Sequence, residues 1–216
     1  SKYRANEYVY TNDNHYTFFV PGKARFEKIE NNGFIEIISY SKEENSGAEL
    51  ICRVRVYKFA KKIEIDNQVR HARDMFNNHR WYRYLYFAFP FYVENAKRVV
   101  QLNGTEEEYA KDVTGHGTDV YAACHEWCCA ENEKYGVALC MRDRQLIEFD
   151  HIHGDKSDFG NAGNGSAMFS YVANDWLQRH VAGGSDINFR FRYMITSYWG
   201  NGDYNKQNKK DEERAC

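Results

Sequence analysis

His151 and His153 stand two residues apart after the apolar pair Leu146-Ile147, so on an extended backbone both imidazoles point to one side, as zinc ligands or an acid/base pair require. No third ligand follows at a recognisable spacing, and two solvated histidines at a strand end beside the turn Gly154-Asp155 account for them as well. Cys124, His125, Cys128 and Cys129 supply the soft ligands of a Cys-x3-Cys half-site. A second half-site is missing, and the apolar run around Trp127 fits a buried strand with small apolar thiols, which is the preferred reading. Asn174-Asp175-Trp176, with Tyr198 and Trp199 further on, brings aromatic rings beside amide and carboxylate groups. Stacking plus bidentate hydrogen bonds is what sugar recognition uses, so these five residues are the candidate carbohydrate-binding set; core packing of Trp176 is the alternative.

Carboxylates abound, among them Asp143, Glu148, Asp150, Asp155 and Asp158. A glycosidase needs two of them flanking a sugar at roughly 5 to 10 Å, a distance that sequence does not supply. A mutarotase-type epimerase needs a carboxylate base and an imidazole acid on one concave sheet face, for which Glu148, His151 and His153 are the candidates. The run Gly160 to Gly165 is no phosphate-binding loop, because no Lys-Ser/Thr and no helix signal follow; it reads as a flexible connection. Asn103-Gly104-Thr105 and Asn164-Gly165-Ser166 match the glycosylation acceptor pattern and put these asparagines on loops.

The elements that must position these groups are strands. Asp186 to Tyr198 alternates Ile187, Phe189, Phe191, Tyr193 and Ile195 with Asn188, Arg190, Arg192, Met194 and Thr196, one face in the core and one outside. Arg25 to Glu30 and Phe34 to Tyr40 flank Asn31-Asn32-Gly33, whose Asn-Gly pair tolerates the positive φ of a tight hairpin. Leu50 to Val56, Lys62 to Asp66, Tyr82 to Val93, Lys97 to Leu102, Val120 to Glu126, Tyr135 to Met141, Gln145 to Asp150 and Ala167 to Val172 bring the count to roughly a dozen. One short helix is expected, at about Gln68 to Asn77. Many short strands and few helices predict an all-β fold of two packed antiparallel sheets.

Composition agrees. The 216 residues include 17 Tyr, 14 Phe and 4 Trp but only 2 Pro, a bias toward the half-buried pleated surface of a sheet. One sandwich domain over residues 1–204 is expected, with 205–216 a charged tail or cut linker. A formal charge of -2 gives no electrostatic reason to expect nucleic acid or an anionic membrane as partner. No apolar run approaches the roughly 20 residues of a bilayer-spanning helix. The start, without Met or an apolar leader, reads as an excised or processed chain. Its six cysteines read mostly as free, buried thiols, which favours a reducing compartment such as the cytoplasm.

Three ordered stretches together resemble the C-terminal β-sandwich region of glycoside hydrolase family 38 α-mannosidases. Tyr86-Phe87-Ala88-Phe89-Pro90-Phe91 is similar to an aromatic-apolar strand ending in Phe-Pro-Phe. Tyr135-Gly136-Val137-Ala138-Leu139-Cys140, then Asp143 and Leu146-Ile147-Glu148, resembles a Gly-Val-Ala-Leu strand leading into an Asp-x-Pro-Leu turn, although Gln145 stands where the family commonly has Pro. Ser170 to Trp176 with Phe189-Arg190-Phe191-Arg192-Tyr193 is similar to the family's Asn-x-Trp segment and closing Phe-x-Phe-Arg-Tyr strand. The resemblance implies a supersandwich of the galactose-mutarotase kind that packs on an upstream catalytic domain and helps to wall a mannoside site. It also implies that zinc and the catalytic carboxylates belong to that upstream domain, so that this chain needs no cofactor, carries no catalytic residue and is inactive alone. Excision should then expose an aromatic patch near the start, from Tyr8, Tyr10, Tyr16, Phe18 and Phe19.

Overall fold

The computed structural model describes residues 4–12, 15–18, 23–42, 47–71, 83–111, 121–143, 146–152, 163–174 and 188–199. These form fifteen strands and no helix. The strands are β1 (Glu7–Asn12), β2 (His15–Phe18), β3 (Arg25–Glu30), β4 (Phe34–Lys42), β5 (Glu49–Tyr57), β6 (Lys62–Arg70), β7 (Arg83–Phe89), β8 (Lys97–Leu102), β9 (Thr105–Glu108), β10 (Ala122–Ala123), β11 (Trp127–Glu131), β12 (Tyr135–Met141), β13 (Leu146–Phe149), β14 (Met168–Asn174) and β15 (Phe189–Trp199). A six-stranded sheet runs β10-β13-β14-β7-β1-β2 and a nine-stranded sheet runs β3-β4-β5-β6-β15-β12-β11-β8-β9. Every pairing is antiparallel, as the alternating patterns require.

The two sheets face each other across an aromatic core. Phe87 of β7 packs on Phe191 and Tyr193 of β15 with ring centres 5.6 and 5.8 Å apart, and Phe89 lies 4.9 Å from Tyr193. The Tyr193 hydroxyl donates to Ser170 Oγ on β14 at 3.0 Å, so this polar tip is satisfied across the sandwich. Asn6 and Asn67 exchange side-chain amide hydrogen bonds at 3.0 and 2.7 Å, which joins the start of β1 to β6.

Three expectations change, and one turn gains a geometry. Gln68 to Arg70 belongs to β6, because Val69 pairs with Leu50 and Phe189 and is buried between them; residues 72–77 of the expected helix lie outside the described residues. Val120 to Glu126 is not one strand: β10 pairs in the smaller sheet and β11 in the larger, so the chain changes sheets between them. Asn32-Gly33 takes no positive φ; instead Asn31 Oδ1 accepts from the Gly33 and Phe34 amides at 2.8 and 2.9 Å and closes the β3–β4 turn. Asn103-Gly104, noted only as an acceptor pattern, has φ of 52° and 85° and joins β8 to β9 through a two-residue turn.

Tyr8 is also not part of an exposed aromatic patch. β1 lies inside the smaller sheet, and the Tyr8 ring is buried edge-on against Phe87 at 5.5 Å. The side chains of Tyr10, Tyr16 and Phe18, and all of Phe19, lie outside the described residues.

Uncovered apolar surface occurs elsewhere. Ile37, Val54, Ile65 and Tyr193 lie side by side across β4, β5, β6 and β15 on the core-facing side. Exposure falls along this row from 44% at Ile37 to 5% at Ile65, so the larger sheet overhangs the smaller one at its β3–β4 end. Phe26 and Val56 share that overhang, at 66% and 41%.

Candidate functional site

On the other side of the nine-stranded sheet, the period of two places charged residues from adjacent strands at matching positions. Glu36 of β4 pairs with Arg55 of β5, which pairs with Glu64 of β6, which pairs with Met194 of β15. One step along, Arg53 pairs with Asp66, and Asp66 with Arg192. These residues, with Arg142, Arg190 and Cys140, line a concave groove with a cavity volume of about 390 Å³, within the range of small-ligand sites.

The groove is held by ion pairs. Arg190 forks onto Asp66 through Nε and Nη2 at 2.9 and 2.7 Å. Arg192 forks onto Asp143 at 2.9 and 2.6 Å, and its own backbone N–H donates to the same carboxylate at 2.8 Å. Burial works against the Asp143 charge, but these bonds outweigh it and hold the carboxyl below its usual range. Arg55 donates to the buried Glu36 at 2.9 Å and stacks on the Phe34 ring. Glu64 takes the Tyr57 hydroxyl and the Lys62 ammonium, each at 2.7 Å; these and Arg55 overcome the effect of burial and keep its carboxyl low. Each carboxylate lining the groove is therefore engaged. Arg53 and Arg142 also line it, and neither makes an ion pair to a described residue.

Of the expected carbohydrate set, the three residues within the described part, Asn174, Tyr198 and Trp199, are not brought together. Tyr198 and Trp199 are neighbours on β15 and so point to opposite faces of the sheet. Tyr198 is only 9% exposed: its ring lies over Gly136, where any Cβ would fall inside the ring, and its hydroxyl donates to Glu131 at 2.7 Å. Trp199 is 76% exposed, with the Lys61 ammonium 5.3 Å from its ring centre. Asn174 pairs with Tyr84 in the other sheet. Since β7 and β15 run the same way past the Phe87–Phe191 and Phe89–Tyr193 contacts, and β14 runs against β7, Asn174 and Trp199 sit toward opposite ends of the sandwich. Asp175 and Trp176 lie outside the described residues.

Glu148 and His151 lie away from the groove as well. Glu148, on β13 of the smaller sheet, is fully buried and accepts the Tyr86 hydroxyl at 2.6 Å; burial, then this charge, pushes the Tyr86 phenol well above its usual range. His151 Nδ1 is 3.2 Å from Asp150 Oδ2, while His153 is outside the described residues. Glycines of the expected flexible run are packed instead: the Asp150 carboxylate occupies the places where side chains at 163 and 165 would project. Cys124 and Cys128 are buried thiols, and burial followed by the Cys124 hydrogen bond raises the Cys128 thiol well above its usual range. No group of three His, Cys, Asp or Glu side chains able to hold a metal ion occurs among the described residues.

Sequence reasoning passed over the arginines because it treated the polar half of each alternation as solvent-facing. The signal was parity. Arg53 and Arg55 on one strand, Glu64 and Asp66 on the next and Arg190 and Arg192 on a third all occupy the non-core phase, which brings opposite charges together once those strands are adjacent.

Among solved structures, the chain is similar to an α-mannosidase from Enterococcus faecalis V583 at 10% sequence identity and a TM-score of 0.60, over 98% of this chain and 27% of that one. An α-galactosidase from Lactobacillus brevis is similar over 92% of this chain and 30% of its own, at 7% identity and a TM-score of 0.46. A GH36 α-galactosidase from Geobacillus stearothermophilus, solved with raffinose, is similar over 92% and 31%, at 10% identity and a TM-score of 0.45. No family model and no curated protein matches the chain. The chain spans about a quarter of the length of the α-mannosidase. Two antiparallel sheets that align over nearly the whole chain with part of that protein give this chain a glycoside-hydrolase-like β-sandwich fold.

Proposed function

We propose that this chain is the C-terminal β-sandwich of an α-mannosidase-like retaining glycosidase, packed on a catalytic domain upstream in the same polypeptide and helping to shape its carbohydrate site. The observation that carries this reading is the alignment of 98% of the chain with 27% of an α-mannosidase, which leaves most of that protein for other parts. The overhang supports it. Phe26, Ile37 and Val56 are exposed apolar side chains on the core-facing side, set around the ion pair of Lys28 and Glu30 and continuous with the core, the kind of mixed surface that a neighbouring domain of the same polypeptide buries. In this reading zinc and the hydrolytic carboxylates belong to the upstream domain, and the sandwich contributes packing and a wall.

Hydrogen exchange tests the docking directly. Amides of β3, β4 and β5 are expected to exchange more slowly in the whole polypeptide than in the 216-residue chain alone. Identical exchange in both would remove the docking part of the proposal.

A second reading, a free-standing carbohydrate-binding module, draws on the concave groove. Micromolar binding of neutral mannose oligosaccharides by the isolated chain, measured by calorimetry, would favour it.

A further inference from the structure

We propose that the groove on the outer face of the nine-stranded sheet binds an acidic saccharide, one bearing a carboxylate, phosphate or sulfate group, through Arg53 and Arg142. This rests on the carbohydrate-associated reading above and adds the ligand class.

Charge makes the first argument. The chain as a whole carries a formal charge of -2, yet five arginines and three carboxylates line the groove, and with Asp143, which pairs with Arg192, counted in, an excess of one positive charge remains. A concave site between low-dielectric walls focuses that field on whatever enters. The positive charge is also localised: Arg190 is spent on Asp66 and Arg192 on Asp143, both in rigid forks, while Arg53 and Arg142 make no ion pair within 4 Å of a described carboxylate, although the Arg142 charge also favours the ionised Asp143.

Geometry makes the second. Arg53 lies on β5 and Arg142 lies beyond β15, where its backbone N–H donates to the Arg192 carbonyl. β6 and β15 run between them, so the two backbones stand roughly three strand spacings, or about 14 Å, apart. The row between them holds Asp66 and Arg192, and one step along from it the buried side chains of Met194 and Cys140 give the groove an apolar flank. Guanidinium groups beside an apolar flank suit a sugar ring carrying an oxyanion, because the guanidinium fork matches carboxylate and phosphate geometry bidentately. A neutral sugar is matched less well. It has no oxyanion for a guanidinium fork to hold.

Calorimetric titration of the 216-residue chain at low salt, with three trisaccharides, tests this. The probes are mannotriose, mannotriose carrying one phosphomonoester, and a mannuronate trisaccharide. Acidic probes are expected to bind at least roughly tenfold more tightly than mannotriose, and the double variant Arg53→Gln/Arg142→Gln to lose about that factor. Lys28→Gln, which removes a charge on the opposite face, should leave binding unchanged. Since neither arginine takes part in an ion pair to a described residue, the double variant should keep the parent's melting curve, which separates lost binding from lost folding. Binding of only one acidic probe supports the inference and names the anion. Equal binding of neutral mannotriose, acidic binding that survives the double variant, or inorganic phosphate binding as tightly as the phosphorylated sugar overturns it. Silence toward all three sugars, with mannoside hydrolysis by the whole polypeptide intact, overturns this inference and leaves the proposed function standing.

Discussion

Asp143 illustrates how one side chain on a loop fixes a strand. It receives three hydrogen bonds from Arg192, one of them from the backbone, and so ties the connection after β12 to the middle of β15. Its folded pKa lies below the ordinary carboxylate value, so its contribution is fully present above an unfolded pKa of about 4 and is lost as pH falls through the lower folded value. Asp143→Asn should therefore lower stability at neutral pH by about 1 kcal/mol, a modest figure because solvent reaches both partners. Its melting temperature should also fall less steeply than the parent's below about pH 4. Thermal melts of both proteins from pH 3 to 7 check this; parallel curves across that range would show that Asp143 titrates as a solvated carboxylate. Roles of this kind were invisible in the sequence. Asp143 and Arg192 are 49 positions apart, and nothing in either neighbourhood names the other.

At the scale of the strand, the row Ile37-Val54-Ile65-Tyr193 carries one chemical pattern through two environments. Ile65→Ala removes packed volume from the shared core and should cost about 2–5 kcal/mol in the isolated chain. Ile37→Ala, on the same sheet face but under the overhang, should cost less than about 1 kcal/mol there. Urea unfolding of the two variants decides the point. Equal losses would mean that the overhang is covered within this chain and offers no docking face. The strands themselves were largely legible, and β3, β8 and β12 have the bounds that alternation gave. Two kinds of information were not. The sheet to which each strand belongs depends on pairings distant in sequence, so the switch between β10 and β11 looked like one continuous strand. Turn geometry depends on which side chain closes the loop, so the Asn-Gly of the β3–β4 turn took no positive φ while that of the β8–β9 turn did. The candidate site suffered most. Its five residues were chosen for chemical type, whereas strand parity sends Tyr198 and Trp199 to opposite faces and strand direction carries Asn174 away from both.

As a whole molecule, the sandwich has two faces with different uses. The core-facing side of the larger sheet ends in an overhang with exposed Phe26, Ile37 and Val56, the proposed docking face for another domain, and its outer side holds the arginine-lined groove, the proposed site for an acidic saccharide. Hydrolysis of an aryl α-mannoside with zinc present, by the whole polypeptide and by the 216-residue chain in parallel, tests the proposed division of labour between catalytic domain and sandwich most directly. The account predicts turnover by the whole polypeptide and none by the chain alone; sustained turnover by the isolated chain, abolished by a substitution within it, would contradict the account.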